Sequence, residues 1–310
     1  MGLIIDAPTN LGLRPPTPGC VPGADKAPQA LRAAGLHAAL REQGWIESPP
    51  VLAGRYRPEI SPGQVRNQAA IVEHAHRLGF RITQALGRGE KPLVLGGDCS
   101  TLLGVGLGLA GRGRYGLIHL DGHTDFRHPG NDSQSANLAG EDLACAVGLH
   151  YPELSHIDGL GPYFEPRDVV HAGCRDGDAH LDEARRRLGA VISASQWVAH
   201  PRSTLADIVD RTAHGGLDGF WVHVDVDVLD PANMPAVDSP DPGGISPALL
   251  SEALTALWPR AVGMTVGILD PDLDPAGQYA VQVATIILEA VTPGSRLRAT
   301  RTTSSRNSCG

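Results

Sequence analysis

Apolar residues in this chain come in short runs separated by polar, Gly- and Pro-rich stretches. Runs at residues 3–5 (Leu3-Ile4-Ile5), 92–95, 116–121, 168–172, 219–227 and 262–269 each predict a strand buried on both faces. Between them the spacing lengthens to that of helices. Ala69, Ile71, Val72, Ala75, Leu78, Ile82 and Leu86 follow a helical period over residues 64–87. Residues 27–40 predict a helix entered through Pro28, and Ser246 caps one running to Trp258. A last helix is predicted over 278–291. Strands that alternate with helices predict an α/β fold, a mostly parallel sheet with helices on both faces. Residues 126–142 show no periodicity and predict a long loop, which inside a compact domain is usually functional.

The polar interruptions of these runs carry the chemistry. In Gly-Phe-Trp-Val-His-Val-Asp-Val-Asp, residues 219–227, the polar His223, Asp225 and Asp227 recur at spacing two, which puts them on one strand face. Two carboxylates on one buried face cost several kcal/mol per ion unless a cation lies between them. They would otherwise be loop caps at a strand end. Two further strand ends repeat the pattern and favour a metal. Asp98 and Cys99 follow the strand at 92–95, and Asp121, His123 and Asp125 follow the one at 116–121. Ligands of parallel sheets bind at that C-terminal edge. Asp98 follows two glycines and reads either as a turn residue or as support for the ligands. Two ions about 3.5–4 Å apart, sharing carboxylates, would account for so many ligands.

The remaining totals narrow the class. The chain has 310 residues and a net charge of -8, which excludes nucleic acid and anionic membranes as principal partners. No apolar run is long enough to span a membrane, and the first residues lack the pattern of a signal peptide, so a cytoplasmic location is expected. The five scattered cysteines do not predict a disulfide framework. No linker or repeat divides the chain, so one domain is expected over 1–291, followed by a disordered tail at 292–310 rich in Ser, Thr and Arg.

Three segments, in this order, resemble the signatures of the ureohydrolases, the arginase and agmatinase superfamily. They are Gly96-Gly97-Asp98-Cys99-Ser100, Leu120-Asp121-Gly122-His123-Thr124-Asp125 and His223-Val224-Asp225-Val226-Asp227-Val228-Leu229-Asp230-Pro231. The resemblance runs from about residue 20 to about residue 290. It implies a three-layer α/β/α fold with an eight-stranded parallel sheet, two manganese ions and hydrolysis of a guanidino C–N bond. It also implies a homo-oligomer, a trimer or hexamer. Under it Asp121 and Asp225 would bridge the ions, His123 and Asp227 would complete one site, and Asp125 and Cys99 the other. Asp178, in Arg175-Asp176-Gly177-Asp178, would help hold the α-amino group of an amino-acid-like substrate. Asn137, in Asn137-Leu138-Ala139-Gly140, would line the substrate pocket.

The chain departs from the arginase pattern at three places. Cys99 replaces a histidine ligand, as in an N-hydroxyarginine amidinohydrolase, and a thiolate makes zinc or iron possible beside manganese. Ala139 replaces the proton-shuttling histidine. Ile268 stands where a glutamate pairs with the guanidinium, leaving Asp270 as a substitute if the strand stays regular. With Ala139 unable to carry protons, His223 is the expected acid/base, alongside Asp125; His119 and His128 are weaker candidates. The expected activity is metal-dependent hydrolysis, by metal-activated hydroxide, of a C–N bond in a guanidino or hydroxyguanidino amino-acid-like small molecule. The alternatives are an amide or imine hydrolase on the same scaffold and a non-catalytic metal-binding relative.

Overall fold

A computed structural model describes residues 1–212 and 216–292. The tail expected to be disordered lies outside the described residues, apart from Thr292. Among the described residues, eight strands form one sheet: β1 (Gly2–Ala7), β2 (Ile46–Glu47), β3 (Lys91–Gly96), β4 (Tyr115–Leu120), β5 (Val169–Cys174), β6 (Ala190–Ser193), β7 (Gly219–Asp225) and β8 (Gly263–Gly267). Their order is β2-β1-β3-β8-β7-β4-β5-β6, and every pairing is parallel. The expected parallel α/β sheet is therefore observed, and the resemblance had implied its eight strands.

Strand alternation sends Ile4, Leu93, Leu95, Ile118, Leu120, Val222 and Val224 to one apolar core, shared with helices Ala27–Ala33, Leu36–Glu42, Pro247–Leu257 and Gln278–Val291. Leu3, Ile5, Val94, Leu117, Val169 and Trp221 face the other core, under helices Gln68–Gly87 and Thr101–Leu109. Each strand is sandwiched between apolar layers, which is why the strands read as near-continuous apolar runs. No described helix is long and apolar enough to cross a membrane.

Three expectations need correction. The helix predicted over 27–40 is two helices, because Gly35 takes φ +93, a left-handed conformation that ends one and starts the next. β7 ends at Asp225, and Asp227 lies in a 3-10 turn at Val226–Val228, so the three polar residues do not share one regular strand. β8 ends at Gly267, where Ile268 turns to φ +72. The regular strand that Asp270 needed in order to reach the site is therefore absent.

Candidate metal centre

The turns that leave β3, β4 and β7 converge. Cys99 follows β3, and its Sγ lies 3.3 Å from Asp225 Oδ2 at the end of β7. Asp121 is the first residue past β4, and its Oδ1 accepts the backbone N–H of His123 at 2.7 Å. His123 Nδ1 lies 2.8 Å from Asp227 Oδ2. The turn after β7 is fastened twice: Asp225 Oδ1 accepts from Asp227 N at 2.7 Å, and Asp227 Oδ1 accepts from Gly122 N at 2.9 Å. Asp98 fastens the turn after β3, accepting from Gly12 N at 3.0 Å and Ser100 N at 2.8 Å.

Two ligand sets result. The ligand atoms of Asp121, His123 and Asp227 lie within 4.8 Å of one another, as do those of Cys99, Asp121 and Asp225. Asp125, at φ +47, is placed differently from the expectation and groups with His119 and Asp142.

Burial pushes the carboxyls of Asp121, Asp125, Asp142 and Asp225 well above the usual range, and neighbouring carboxylates push Asp121, Asp125 and Asp225 further. Burial acts against a charged His123, but Asp227 and the other acids push its pKa up to about 11. One imidazolium cannot neutralise this many acids, and Asp121 Oδ2 is buried with no hydrogen-bond partner. Oxygen and nitrogen donors around an uncompensated negative charge fit divalent cations. Asp121, His123, Asp225 and Asp227 would hold such ions, with Cys99 as the one soft donor.

Above the acids lies a cavity of about 360 Å³, lined by His123, Asp125, Asp225 and Asp227 and by the predicted substrate residues Asn137 and Asp178. Ala139 and Ile268 line it too. Asn137 Oδ1 accepts from Arg66 Nε at 3.2 Å. Burial acts against ionised Asp178, but hydrogen bonds from Thr124 Oγ1 at 2.6 Å, Thr124 N and His180 N hold its pKa below the usual value.

Four residues expected to act on the substrate, Asp270, His128, His223 and the fully buried His119, do not line this cavity. Asp270 accepts from Gly23 N and Asp272 N at 3.0 and 2.9 Å, so its carboxylate is committed to fastening loops. His128 receives Gly130 N at 3.0 Å and lies 3.4 Å from Glu183. His223 is fully buried one strand step below Asp225 and touches no cavity surface. Conversely, Asp142 and His171 were missed. Asp142 opens the buried helix Asp142–Ala146, where an acid ordinarily reads as a cap. His171 interrupts the apolar run of β5 just as His119 and His223 interrupt theirs, and that signal would have found it.

The long loop over the site is anchored by Glu183. Hydrogen bonds from Asn131 at 3.0 Å, Arg187 at 2.9 Å and His128 hold the Glu183 carboxyl down at about 2. A depressed carboxyl stabilises the fold above its unfolded pKa of about 4.5, and this is lost as pH falls through about 2. Glu183→Gln is expected to cost about 1–2 kcal/mol near neutrality. The difference from wild type should be flat above pH 4.5 and shrink in acid, as read from chemical denaturation across pH. A difference that does not vary with pH would show that the charge does not anchor the loop.

A sequence profile of the arginase family matches residues 12–292. The arginase of Bacillus caldovelox is 32% identical over 238 residues, covering 72% of this chain and 77% of that one. The arginase of Agrobacterium fabrum is 31% identical over 303 residues, covering 89% and 86%. The solved structure of the Bacillus caldovelox arginase superimposes with a TM-score of 0.84 at 26% identity, covering 96% of this chain and 99% of that one. The formimidoylglutamase of Bacillus subtilis shares the fold, with a TM-score of 0.69 at 20% identity, covering 94% and 86%. A family profile matched from residue 12 to residue 292, with relatives above 30% identity over most of the chain, makes this chain a member of the arginase family.

Proposed function

We propose that this chain hydrolyses the C–N bond of an amino-acid-like substrate carrying a hydroxyguanidino or guanidino group. Membership of the arginase family makes it a hydrolase of C–N bonds in linear amidines. The finer choice rests on one observation. The cavity wall at the position of the expected guanidinium-pairing acid is Ile268, a buried β-branched residue at φ +72. A β-branched side chain in that conformation is strained by on the order of 1–3 kcal/mol, and such strain persists where the surroundings enforce it. An apolar wall favours a substrate head that is neutral when bound, as an N-hydroxyguanidine is, over a guanidinium.

The chain's own groups then divide the work. Asp178 and Asn137 hold the amino-acid end, and Arg14 at the same cavity offers a cation for its carboxylate. Asp121, His123, Asp225 and Asp227 hold the ions, manganese on the oxygen- and nitrogen-rich side, with zinc or iron favoured by Cys99. Two bound divalent ions supply an activated water and stabilise the charge that develops at the attacked carbon. Asp125, facing the cavity with its proton favoured by burial, is the group placed to pass a proton to the departing nitrogen. His223 lies below the cavity floor and has no path to the substrate, so the proton-carrying role expected of it passes to Asp125. We further place the protein in the cytoplasm as a trimer or hexamer.

The test is release of urea or hydroxyurea from guanidino and hydroxyguanidino amino acids by protein reconstituted with manganese, zinc or iron, with products identified by mass. Hydroxyguanidino substrates should be preferred. Ile268→Glu should shift the kcat/KM ratio toward the guanidinium substrate by about tenfold or more, the worth of one charge-assisted hydrogen bond. Release of neither product from any substrate would overturn the reading. An unchanged ratio in Ile268→Glu would remove Ile268 as its basis.

A further inference from the structure

One strand step below Asp121 and Asp225 runs a second row of polar side chains. His223, His119 and His171 are in register on β7, β4 and β5, and all three are fully buried. His119 and His171 share a hydrogen bond between their Nδ1 atoms at 3.0 Å. The His119 ring stacks on that of His223 with centroids 5.2 Å apart. Asp142 looks onto this row from the helix above. Its Oδ2 is 3.7 Å from His223 Nε2, and its Oδ1 is 3.6 Å from His119 Nε2.

These separations are informative. Both are too long for a hydrogen bond, and a water about 2.8 Å from each partner would have to bridge them at an angle of only about 80°, far below tetrahedral. Both oxygens of Asp142 and both ring nitrogens of His223 are buried without a hydrogen-bond partner. Each such orphan costs on the order of 1–3 kcal/mol, more where the group is charged. A metal ion about 2.0–2.2 Å from a nitrogen and an oxygen separates them by roughly 3.4 Å in a tetrahedral site, close to what is seen. The third member is at hand, because ligand atoms of Cys99, Asp142 and His223 lie within 4.8 Å of one another.

We propose that Cys99, Asp142 and His223 form a binding site for a borderline divalent cation, zinc(II) by preference, set beneath the Asp121–His123–Asp227 site. Asp225, whose Oδ2 lies 3.3 Å from Cys99 Sγ, supplies the fourth donor and joins the two sites. Thiolate, imidazole and carboxylate together suit zinc, whereas the upper site offers only oxygen and imidazole donors and suits manganese. The centre is then mixed in its metals and reaches deeper into the sheet. Asp142 and His223, which do not line the cavity, acquire a role as ligands. This assignment does not depend on which substrate is cleaved.

The test is spectroscopic. The full chain, stripped with a chelator, is loaded with zinc and manganese for zinc X-ray absorption, and separately with cobalt(II) for optical spectra. Wild type should show one zinc–sulfur distance of about 2.3 Å and, with cobalt, a thiolate charge-transfer band. Cys99→Ser should lose both. Asp142→Asn and His223→Gln should each weaken zinc binding beyond the roughly 10–100-fold that a supporting residue costs, while manganese still binds. The melting temperature of each stripped variant is read beside its zinc affinity; affinity lost while the stripped protein still melts as a folded unit separates lost ligation from misfolding. The proposal is overturned if wild type shows no zinc–sulfur distance. It is equally overturned if zinc affinity and the sulfur signal survive unchanged in both Asp142→Asn and His223→Gln. Hydrolysis is not read in this experiment, so its failure leaves the substrate reading standing.

Discussion

Asp121→Asn is expected to lower kcat/KM by on the order of 10³-fold or more, with a parallel loss of bound metal. Asp121 is the only acid whose ligand atom falls in both the Asp121–His123–Asp227 and the Cys99–Asp121–Asp225 sets, so one substitution touches both. Asparagine keeps the oxygen that accepts from His123 N, so the turn after β4 should hold its shape. It also removes a fully buried carboxylate from a crowd of acids, and relief of that repulsion should leave the stripped protein at least as stable as wild type. Activity, metal content and the melting temperature of stripped protein therefore move in a distinctive pattern. Activity above a tenth of wild type, with metal retained, would remove Asp121 from the centre of the site.

Gly97→Ala should do the opposite, damaging the fold first and the site only as a consequence. A methyl group on Gly97 would sit 1.6 Å from Thr9 O and 2.5 Å from Thr9 N. Both are backbone atoms, which cannot swing aside as a side chain can. Relief requires the segment after β1 to move, and that segment is tied to Asp98 by Asp98 N–H donating to Thr9 O at 3.0 Å and by Gly12 N–H donating to Asp98. A destabilisation of about 3 kcal/mol or more is expected, at the upper end of overpacking costs. Gly35→Ala is the useful comparison. Its φ of +93 makes alanine strained, but nothing lies within 4 Å of the added methyl, so about 1 kcal/mol is expected. Thermal and urea unfolding of the two variants side by side would decide the matter. If Gly97→Ala unfolds no more easily than Gly35→Ala, the contact between residues 9 and 97 is not a tight one.

Most of the sheet was legible because its strands are buried on both faces and announce themselves as apolar runs. What escaped was local. Ile46–Glu47 and Ala190–Ser193 are edge strands, short and partly exposed, and carry almost no pattern. Gly35 divides a helix whose apolar spacing continues across the break. In the site, acids and histidines at strand ends stood out as polar breaks in apolar runs, and family resemblance assigned their roles. Asp142 did not stand out, because it follows a long polar loop and its meaning depends on which helix lies over which strands. Asp270 looked competent only while the strand before it was assumed to be regular. Ile268 at φ +72 ends that strand, and no propensity would place a β-branched residue there.

The strand order has a consequence for how the chain is made. β8 lies between β3 and β7 and, among the described residues, is the last strand in sequence. Before residues 263–267 emerge from the ribosome, β2-β1-β3 and β7-β4-β5-β6 are separate half-sheets, each with a bare central edge. Cys99 belongs to the first half, and Asp121, His123, Asp225 and Asp227 belong to the second. Neither half contains a complete ion-binding set that includes the thiol. Joining them is the least local step of folding, and the exposed edges of β3 and β7 invite pairing with other chains until it occurs. A chain stalled or truncated before residue 263 therefore faces aggregation, and the thiol-containing ion set is completed only once β8 is available to join the two halves.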